Sequence, residues 1–217
     1  MNFEQARFNM IEQQIRPWDV LDTGILSLLA IVKREDFVPA AYRALAFVDA
    51  EVPLGDGQCM LAPRVEARLL QDAQVHRHET VLEIGTGSGY MAALLSHKAR
   101  TVVTLEKRPA LAKSAIEHLR RAGVSNVTVR EADGVKGMPG DAPFDVIMLS
   151  GSVSAVPQAL LEQLKVGGRL LAIVGQEPVM RAVRITRQGE HSFQTEELFD
   201  TVAPRLEGFG EPDAFRF

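Results

Sequence analysis

A glycine-rich turn between an apolar strand and a helix most restricts the fold of this 217-residue chain. Residues 85–89 read Gly-Thr-Gly-Ser-Gly, after the apolar run 80–84 and before an apolar helical pattern at 89–97. Glycines are needed where the backbone takes a positive φ or lies close to a ligand. A strand, such a turn and a helix form the first unit of a doubly wound sheet, which binds ligands at the carboxyl ends of its strands.

Strand and helix patterns alternate through the following region. Further strands are predicted at 101–105, 127–130, 144–149 and 169–174, and helices at 109–122 and 155–164. Such alternation is typical of a parallel sheet with helices on both faces. Two strand patterns at 180–187 and 193–199, with a turn at Gly189, predict an antiparallel addition at the sheet edge. We therefore expect an α/β fold with a doubly wound, mostly parallel, Rossmann-like sheet.

The first part of the chain has a different pattern. A helix is predicted at 3–16 and a second one from Asp22 onward. Residues 40–63 contain several prolines and glycines and are expected to be largely loop. We divide the chain into a helical N-terminal segment with a substrate-side loop, 1–63, and the sheet-containing domain, 64–217, and expect the two to form one compact unit.

Composition and charge argue against several classes of protein. The net charge is −4 and no basic tract is present, so neither a nucleic-acid nor a membrane partner is predicted. No secretory signal is recognised, and the apolar run 25–32 is far shorter than the roughly 20 residues of a membrane span. Cys59 is the only cysteine, which excludes an internal disulfide. The five histidines do not pair at metal-ligand spacing, so no metal is predicted. We expect a cytoplasmic protein.

Acidic residues at the strand ends indicate which cofactor the turn binds. Glu106 ends the second strand, where a carboxylate can accept both hydroxyls of a ribose. The NAD fingerprint has two residues between its second and third glycine. Here a single residue, Ser88, separates Gly87 from Gly89, and Glu83 lies inside the strand. This version of the motif favours S-adenosylmethionine, with S-adenosylhomocysteine as its product.

The end of the third strand completes the predicted cofactor site. Asp133 is expected to accept the adenine amino group while Ala132 packs beside the ring; a turn-forming role for Asp133 before glycine is the alternative. The predicted cofactor-binding residues are Glu83, Gly85, Thr86, Gly87, Ser88, Glu106, Lys107, Ala132, Asp133 and Gly134.

With these motifs the sequence resembles the protein-L-isoaspartate O-methyltransferase family, from about residue 5 to residue 175. The pieces that carry the resemblance are 10–15, 34–39, 46–49, 52–58, 81–90, 142–145, 159–164 and 167–170. The N-terminal and loop pieces among them are not general methyltransferase features. The resemblance implies methyl transfer to the α-carboxylate of isoaspartyl residues in damaged proteins or peptides, which are the implied partner. The ester can cyclise to a succinimide and return in part to aspartate.

The sequence departs from the family pattern in the loop expected to contact the acceptor. Members usually read Gly-Gln-Thr-Ile-Ser-Gln-Pro, whereas residues 57–63 read Gly-Gln-Cys-Met-Leu-Ala-Pro. Cys59 and Leu61 thus replace two hydroxyl side chains, and a lost hydrogen bond to a charged group costs about 1.5–3 kcal/mol. Ser150 and Ser152, where the family commonly has Thr-Ala-Ala, can supply relocated hydroxyls. Cys59, Leu61 and Ser150 are the predicted substrate-side residues.

Three interpretations of the function stay open. The first is a carboxyl methyltransferase of the isoaspartyl type, and the second is a methyltransferase of the same fold with a different acceptor. The third is a non-catalytic protein that binds the cofactor or a partner. The intact cofactor residues argue against it, namely Glu83, Gly85, Gly87, Glu106 and Asp133. Trp18 is more simply explained by packing than by a place in a substrate cleft. Cys59 has no histidine near it in sequence and is interpreted as a small apolar filler.

Overall fold

The computed structural model describes residues 2–210. Its strands are β1 (Val52–Gly55), β2 (Gln58–Met60), β3 (Thr80–Ile84), β4 (Thr101–Glu106), β5 (Val127–Glu131), β6 (Phe144–Val153), β7 (Leu164–Gln176), β8 (Val179–Arg187) and β9 (Phe193–Asp200). Its α-helices are α1 (Phe3–Met10), α2 (Thr23–Ile31), α3 (Pro63–Ala73), α4 (Tyr90–Lys98), α5 (Pro109–Arg121) and α6 (Gln158–Leu161). A π-helical turn covers Ile11–Ile15, and 3-10 helices cover Arg16–Trp18, Arg34–Asp36, Ala40–Phe47 and Gly134–Lys136.

Seven strands form one sheet in the order β5–β4–β3–β6–β7–β8–β9. The strands from β5 to β7 in this order are parallel, and β8 and β9 are added antiparallel at one edge. The predicted α/β fold with its antiparallel addition is therefore confirmed. The chain first builds outward from β3 to β5 and then returns to β6 on the other side of β3. This reversal places a ligand crevice at the carboxyl ends of β3 and its neighbours.

The region 40–63, predicted to be largely loop, is more ordered than expected. It contains a 3-10 helix at Ala40–Phe47 and the antiparallel hairpin formed by β1 and β2. The hairpin turns at Asp56 and Gly57, whose φ values are +50° and +76°. Positive φ at both central residues is the requirement of the tight hairpin turn that Asp-Gly favours. The dipeptide was therefore a hairpin signal, and the prediction of a largely irregular loop was wrong.

The helix predicted at 155–164 is also shorter than expected. Only Gln158–Leu161 is α-helical, and β7 already begins at Leu164. Pro157 occupies the position before the helix. Its fixed φ favours the start of a helix there, but a helix cannot continue from Pro157 toward the N-terminus. The sequence predicts an ordered or frayed tail from Gly208 to Phe217; the structure describes it as far as Gly210, and residues 211–217 lie outside the described part of the chain.

One hydrophobic cluster joins the N-terminal segment to the rest of the molecule. Met10 and Phe37 belong to the same buried cluster as Leu69 of α3 and Leu94 of α4, and each is at most 1% exposed. Helix α4 is buried from Tyr90 to Ser96 because both the sheet and the N-terminal helices pack against it. None of the helices within residues 2–210 is both long and apolar enough to cross a bilayer.

A buried arginine fixes the loop that follows the hairpin. Arg34 is fully buried and donates from Nε to Glu66 at 3.2 Å, from Nη1 to the Ala46 carbonyl at 3.2 Å and from Nη2 to the Leu61 carbonyl at 2.6 Å. A buried guanidinium is tolerated only when its donors are paired in this way. Arg34 therefore holds the end of the predicted substrate-side loop against the start of α3.

Candidate active site

The glycine turn lies at the carboxyl end of β3 and has a backbone that requires glycine. Gly85, Gly87 and Gly89 have φ values of +92°, +53° and +86°, a region that disfavours side chains. Leu54 of the hairpin covers this turn, since its Cδ1 atom is 3.2 Å from the position a Cβ would take on Gly87. The turn that should bind the cofactor is thus in contact with the predicted substrate-side region.

Glu106, at the end of β4, holds the glycine turn through its buried carboxylate. Its Oε2 accepts the Gly87 amide at 2.8 Å, and its Oε1 accepts the Arg108 amide at 2.9 Å. A carboxylate oxygen has two lone pairs. Glu106 therefore retains acceptor capacity for the ribose hydroxyls that the sequence analysis assigned to it.

Glu83 lies fully buried in β3 beneath the turn. Its two oxygens accept the hydroxyls of Thr104 and Ser150, each at 2.7 Å. Burial raises the pKa of Glu83 to about 7, although both hydroxyl groups favour the ionised form. Ser150, which was predicted to face the acceptor, thus donates its hydroxyl hydrogen bond to Glu83.

Asp133 has the turn-forming contacts that were considered as the alternative to adenine binding. Its Oδ1 accepts the Val135 amide at 3.1 Å and so caps the short 3-10 helix that follows. Its Oδ2 accepts Lys107 Nζ at 2.9 Å, and this contact lowers the pKa of Asp133. The next residue must be glycine, because a Cβ on Gly134 would lie 2.2 Å from the Ile84 side chain.

Two adjoining cavities bring most of the predicted cofactor residues together. The larger, of about 60 Å³, is bordered by Gly85, Gly87, Glu106, Lys107, Ala132 and Gly134. The smaller, of about 20 Å³, is bordered by Glu83, Thr86 and Ser88 and shares Gly85 and Gly87 with the first. Nine of the ten predicted residues therefore face this pair of cavities; Asp133 borders neither of them.

A C-terminal segment, residues 203–210, also covers the site and was not predicted from the sequence; we call it the strap. The Leu206 amide donates to the Ser152 carbonyl at 2.9 Å, which fixes the strap beside β6. Leu206 Cδ2 is 2.7 Å from the position a Cβ would take on Gly85, and Phe209 is only 6% exposed. Both side chains border the larger cavity. The strap has no secondary-structure period, so a sequence pattern could not reveal these contacts.

Arg108 connects the strap with the hairpin at the rim of the larger cavity. Its Nη2 donates to Glu207 Oε1 at 2.5 Å, and its Nη1 lies 3.5 Å from Asp56 Oδ2. Gln58 of β2 donates to the same Glu207 oxygen at 3.2 Å. We call Asp56, Gln58, Arg108 and Glu207 the rim cluster. It links the two segments that cover the cavity.

The substrate-side residues Cys59 and Leu61 border the smaller cavity together with Ser150. The Cys59 Sγ atom lies 3.5 Å from Glu51 Oε2. Burial, with a contribution from Glu51, raises the pKa of the thiol to about 12. The thiolate is the nucleophilic form of cysteine. At neutral pH Cys59 is therefore protonated, which agrees with its interpretation as a filler.

Two further alternatives are decided by contacts. Ser152 is fully buried and donates its hydroxyl to the Ala203 carbonyl at 2.7 Å, so it does not supply a relocated hydroxyl to an acceptor. Trp18 packs edge-on against Phe199 with ring centroids 6.1 Å apart, and the Arg64 guanidinium lies 4.0 Å from its ring centroid. Trp18 therefore has the packing role that the sequence analysis favoured.

Glu66, which was not among the residues predicted from the sequence, borders the smaller cavity as well. It lies in the first turn of α3, is 5% exposed and accepts a hydrogen bond from Arg34. Burial raises the pKa of Glu66 to about 7 against the opposing effect of Arg34. Across residues 2–210, no three His, Cys, Asp or Glu side chains lie close enough together to hold a metal ion.

Comparison with known proteins identifies the family. The profile of the protein-L-isoaspartate(D-aspartate) O-methyltransferases matches residues 5–202. Protein-L-isoaspartate O-methyltransferase 2 of Pelobacter propionicus is 39% identical over 198 residues, which cover 91% of this chain and 88% of that protein. The protein-L-isoaspartate O-methyltransferase of Methanoculleus marisnigri is 38% identical over 184 residues, covering 85% and 84%.

Solved structures agree with the sequence comparisons. A protein-L-isoaspartate O-methyltransferase structure superposes with a TM-score of 0.78 and 25% identity, covering 93% of this chain and 66% of that one. A Plasmodium falciparum protein described as a beta-aspartate methyltransferase, solved with S-adenosyl-L-homocysteine, shares the fold with a TM-score of 0.78 at 18% identity, covering 95% and 99%. The resemblance predicted from the motifs is thus confirmed: this chain belongs to the protein-L-isoaspartate(D-aspartate) O-methyltransferase family and is an S-adenosylmethionine-dependent O-methyltransferase.

Proposed function

We propose that this protein transfers the methyl group of S-adenosylmethionine to the α-carboxylate of isoaspartyl residues in damaged proteins or peptides. The observation that carries the proposal is the contact between the glycine turn and the hairpin. Residues 59–61 of the family's acceptor loop border the same small cavity as residues 85–88 of the turn. An acceptor held by the loop therefore lies directly beside the predicted cofactor residues.

The residues of the larger cavity fit the proposed cofactor. Gly85 and Gly87 leave room for a close approach of the backbone, and Glu106 has spare lone pairs for ribose hydroxyls. Ala132 and Gly134 offer a surface without polar side chains to the adenine ring. The bound cofactor supplies a methyl group activated by its sulfonium.

The protein has to open before it can admit this cofactor. Pockets for ligands of such size have volumes of about 300–1,000 Å³, whereas the cavity between hairpin and strap has about 60 Å³. Leu206 lies directly against Gly85, where the ligand must approach the turn. Outward movement of the strap or the hairpin, followed by closure, therefore accompanies cofactor binding.

The protein contributes mainly alignment and exclusion of water. A carboxylate is ionised at neutral pH and needs no general base. Met60 and Leu61 are only 4% and 5% exposed and form an apolar wall at the acceptor loop. An apolar, closed site favours methyl transfer over loss of the methyl group to water.

A methyl-transfer assay tests the proposal. Matched peptides that differ only in an isoaspartyl or a normal aspartyl residue are incubated with labelled S-adenosylmethionine, and base-labile methyl ester is counted. We expect the isoaspartyl peptide to be methylated at least about tenfold faster, a difference of about 1.4 kcal/mol in transition-state stabilisation. Equal rates on both peptides, or no ester on either, would contradict the proposal.

A methyltransferase with a different acceptor is the second candidate. Cys59 and Leu61 favour it, because they lack the hydroxyls of the usual family loop. If the protein binds the cofactor but forms no ester on isoaspartyl peptide, a methyltransferase with a different acceptor is favoured. The absence of nucleic-acid and membrane partners, a cytoplasmic location and the division of the chain at residue 63 stay predictions from the sequence.

A further inference from the structure

The predicted substrate-side residues of the smaller cavity offer few hydrogen-bond donors to a carboxylate; the Ser88 hydroxyl, which also borders the cavity, lies on the cofactor-side turn and accepts the Tyr90 amide at 3.3 Å. Leu61 has no polar side-chain atom, Ser150 donates its hydroxyl to Glu83, and the Cys59 thiol faces the Glu51 carboxylate. An anion that enters an apolar cavity without compensating hydrogen bonds carries a large desolvation cost. If the acceptor is an isoaspartyl carboxylate, as proposed above, another group has to supply a donor.

Glu66 is the polar side chain that α3 contributes to this cavity. Its Oε2 is held by Arg34 Nε at 3.2 Å, whereas no hydrogen bond to Oε1 is found within residues 2–210. The side chain is only 6% exposed and borders the smaller cavity. A protonated carboxyl group has one O–H donor. Glu66 is therefore placed to donate through Oε1 when it is neutral.

The surroundings of Glu66 allow the neutral form near physiological pH. The charged and titratable groups around this cavity are Arg34, Glu83, Tyr90 and Cys59, with Glu106 acting on Glu83 and with Glu35 and Arg7 acting on Tyr90. Arg34 favours the ionised form, but burial outweighs it and raises the pKa of Glu66 to about 7. Glu83 and Glu66 repel each other when both are ionised, which raises the pKa of Glu83 further.

We propose that Glu66, in its protonated form, donates a hydrogen bond to the acceptor carboxylate and replaces the loop hydroxyls that Cys59 and Leu61 lack. This inference rests on the proposed function. Ionised Glu66 has the opposite effect, because two carboxylates in one small cavity repel each other. Glu66 therefore determines at which pH the enzyme accepts a carboxylate, while the acceptor itself stays ionised throughout.

The test compares Glu66→Gln and Glu66→Leu with the unaltered protein on isoaspartyl peptide from pH 6 to pH 8. For a group with a pKa of about 7, the protonated fraction falls about tenfold over this range. We expect kcat/KM of the unaltered protein to fall by about the same factor. Glu66→Gln should keep the rate of pH 6 at every pH, because its amide always has N–H donors. Glu66→Leu should be about tenfold slower already at pH 6.

The dissociation constant of S-adenosylhomocysteine, measured for each variant at each pH, is the control for folding and cofactor binding. We expect it to stay within about threefold. The Gln variant keeps the shape of Glu66 and an oxygen for Arg34, so it retains the buried contact.

Several outcomes would overturn the inference. A fall in kcat/KM that persists in Glu66→Gln would assign the titration to another group, Glu83 first of all. A fully active Glu66→Leu would mean that the acceptor does not use this side chain. If weaker cofactor binding accounts for the whole loss of kcat/KM in the variants, then Glu66 contacts the ammonium group of the cofactor and not the acceptor. An unaltered protein inactive on isoaspartyl peptide at every pH would overturn the proposed function together with this inference, whereas activity independent of Glu66 would overturn the inference alone.

Discussion

The Gly87 amide donates a 2.8 Å hydrogen bond to Glu106 Oε2, so the residue expected to bind the ribose also fixes the glycine turn. Loss of Glu106 therefore removes two contributions to cofactor binding. We expect Glu106→Ala to weaken S-adenosylhomocysteine binding by about 1.5–3 kcal/mol, the usual cost of a lost hydrogen bond to a charged group. Titration calorimetry measures this change. An unaltered affinity would mean that the ribose lies elsewhere.

The strap and the hairpin should become more protected when the cofactor is bound. Residues 203–206 are held to Ser152 of β6 by three hydrogen bonds, from the Leu206 amide to the Ser152 carbonyl, from the Ser152 amide to the Pro204 carbonyl and from the Ser152 hydroxyl to the Ala203 carbonyl, but the strap contains no helix and no strand. Segments of this kind open locally at low free-energy cost. Saturating S-adenosylhomocysteine should slow amide hydrogen exchange in residues 203–210 and 52–61, because a ligand stabilises the closed form. Identical exchange rates with and without ligand would count against closure.

The rim cluster should slow the release of the cofactor. Arg108 joins Glu207 of the strap to Asp56 of the hairpin, and its side chain is 28% exposed. Partly exposed ion pairs contribute about 0.2–1 kcal/mol each. We expect Glu207→Gln to raise the dissociation rate of S-adenosylhomocysteine about two- to fivefold in stopped-flow measurements, and less so at high salt.

An exposed ion pair far from the cavity provides the matched control for this experiment. Glu197 of β9 pairs with Arg181 in the antiparallel part of the sheet and does not border either cavity. Glu197→Gln makes the same chemical change as Glu207→Gln, so it should leave the dissociation rate unaltered. Equal effects of the two substitutions would show that net charge, and not the rim cluster, controls release.

The sequence predicts those parts of the molecule whose signals are local. The alternation of apolar strands and helices predicted a mostly parallel sheet with an antiparallel addition at its edge. The glycine turn and the ends of the next two strands predicted nine of the residues around the two cavities. The hairpin was missed even though Asp56-Gly57 is a local signal, because the prolines and glycines around it were interpreted as loop.

The remaining features depend on tertiary packing and carry no local signal. Phe209 enters the apolar cluster at the strand ends only because the chain returns there after β9. Glu66 lies on a helix whose apolar face is buried, and a glutamate at that position is as compatible with a solvated face as with a cavity. Its burial follows from Arg34, which lies 32 residues earlier in the chain. Hydrophobic periodicity cannot predict a contact between two residues so far apart in the sequence.

The double replacement Cys59→Thr with Leu61→Ser restores the hydroxyls of the usual family loop. We expect kcat/KM on isoaspartyl peptide to rise about tenfold at pH 8, which corresponds to about 1.4 kcal/mol of transition-state stabilisation. At pH 6 the gain should be smaller, because protonated Glu66 already supplies a donor there. Leu61 is 5% exposed, so its truncation also costs stability of about 2–5 kcal/mol, to be checked by thermal unfolding.

The pair Cys59→Val with Leu61→Ala is the control for this replacement, because Val and Ala match Thr and Ser in shape but have no hydroxyl group. This control should lose similar stability and gain no activity at either pH. A gain in the control would assign the effect to cavity volume. An equal gain of the hydroxyl pair at pH 6 and pH 8 would show that the new donors act independently of Glu66, since hydrogen bonds to one carboxylate can add to each other. No gain in an active protein would mean that residues 59 and 61 do not contact the acceptor.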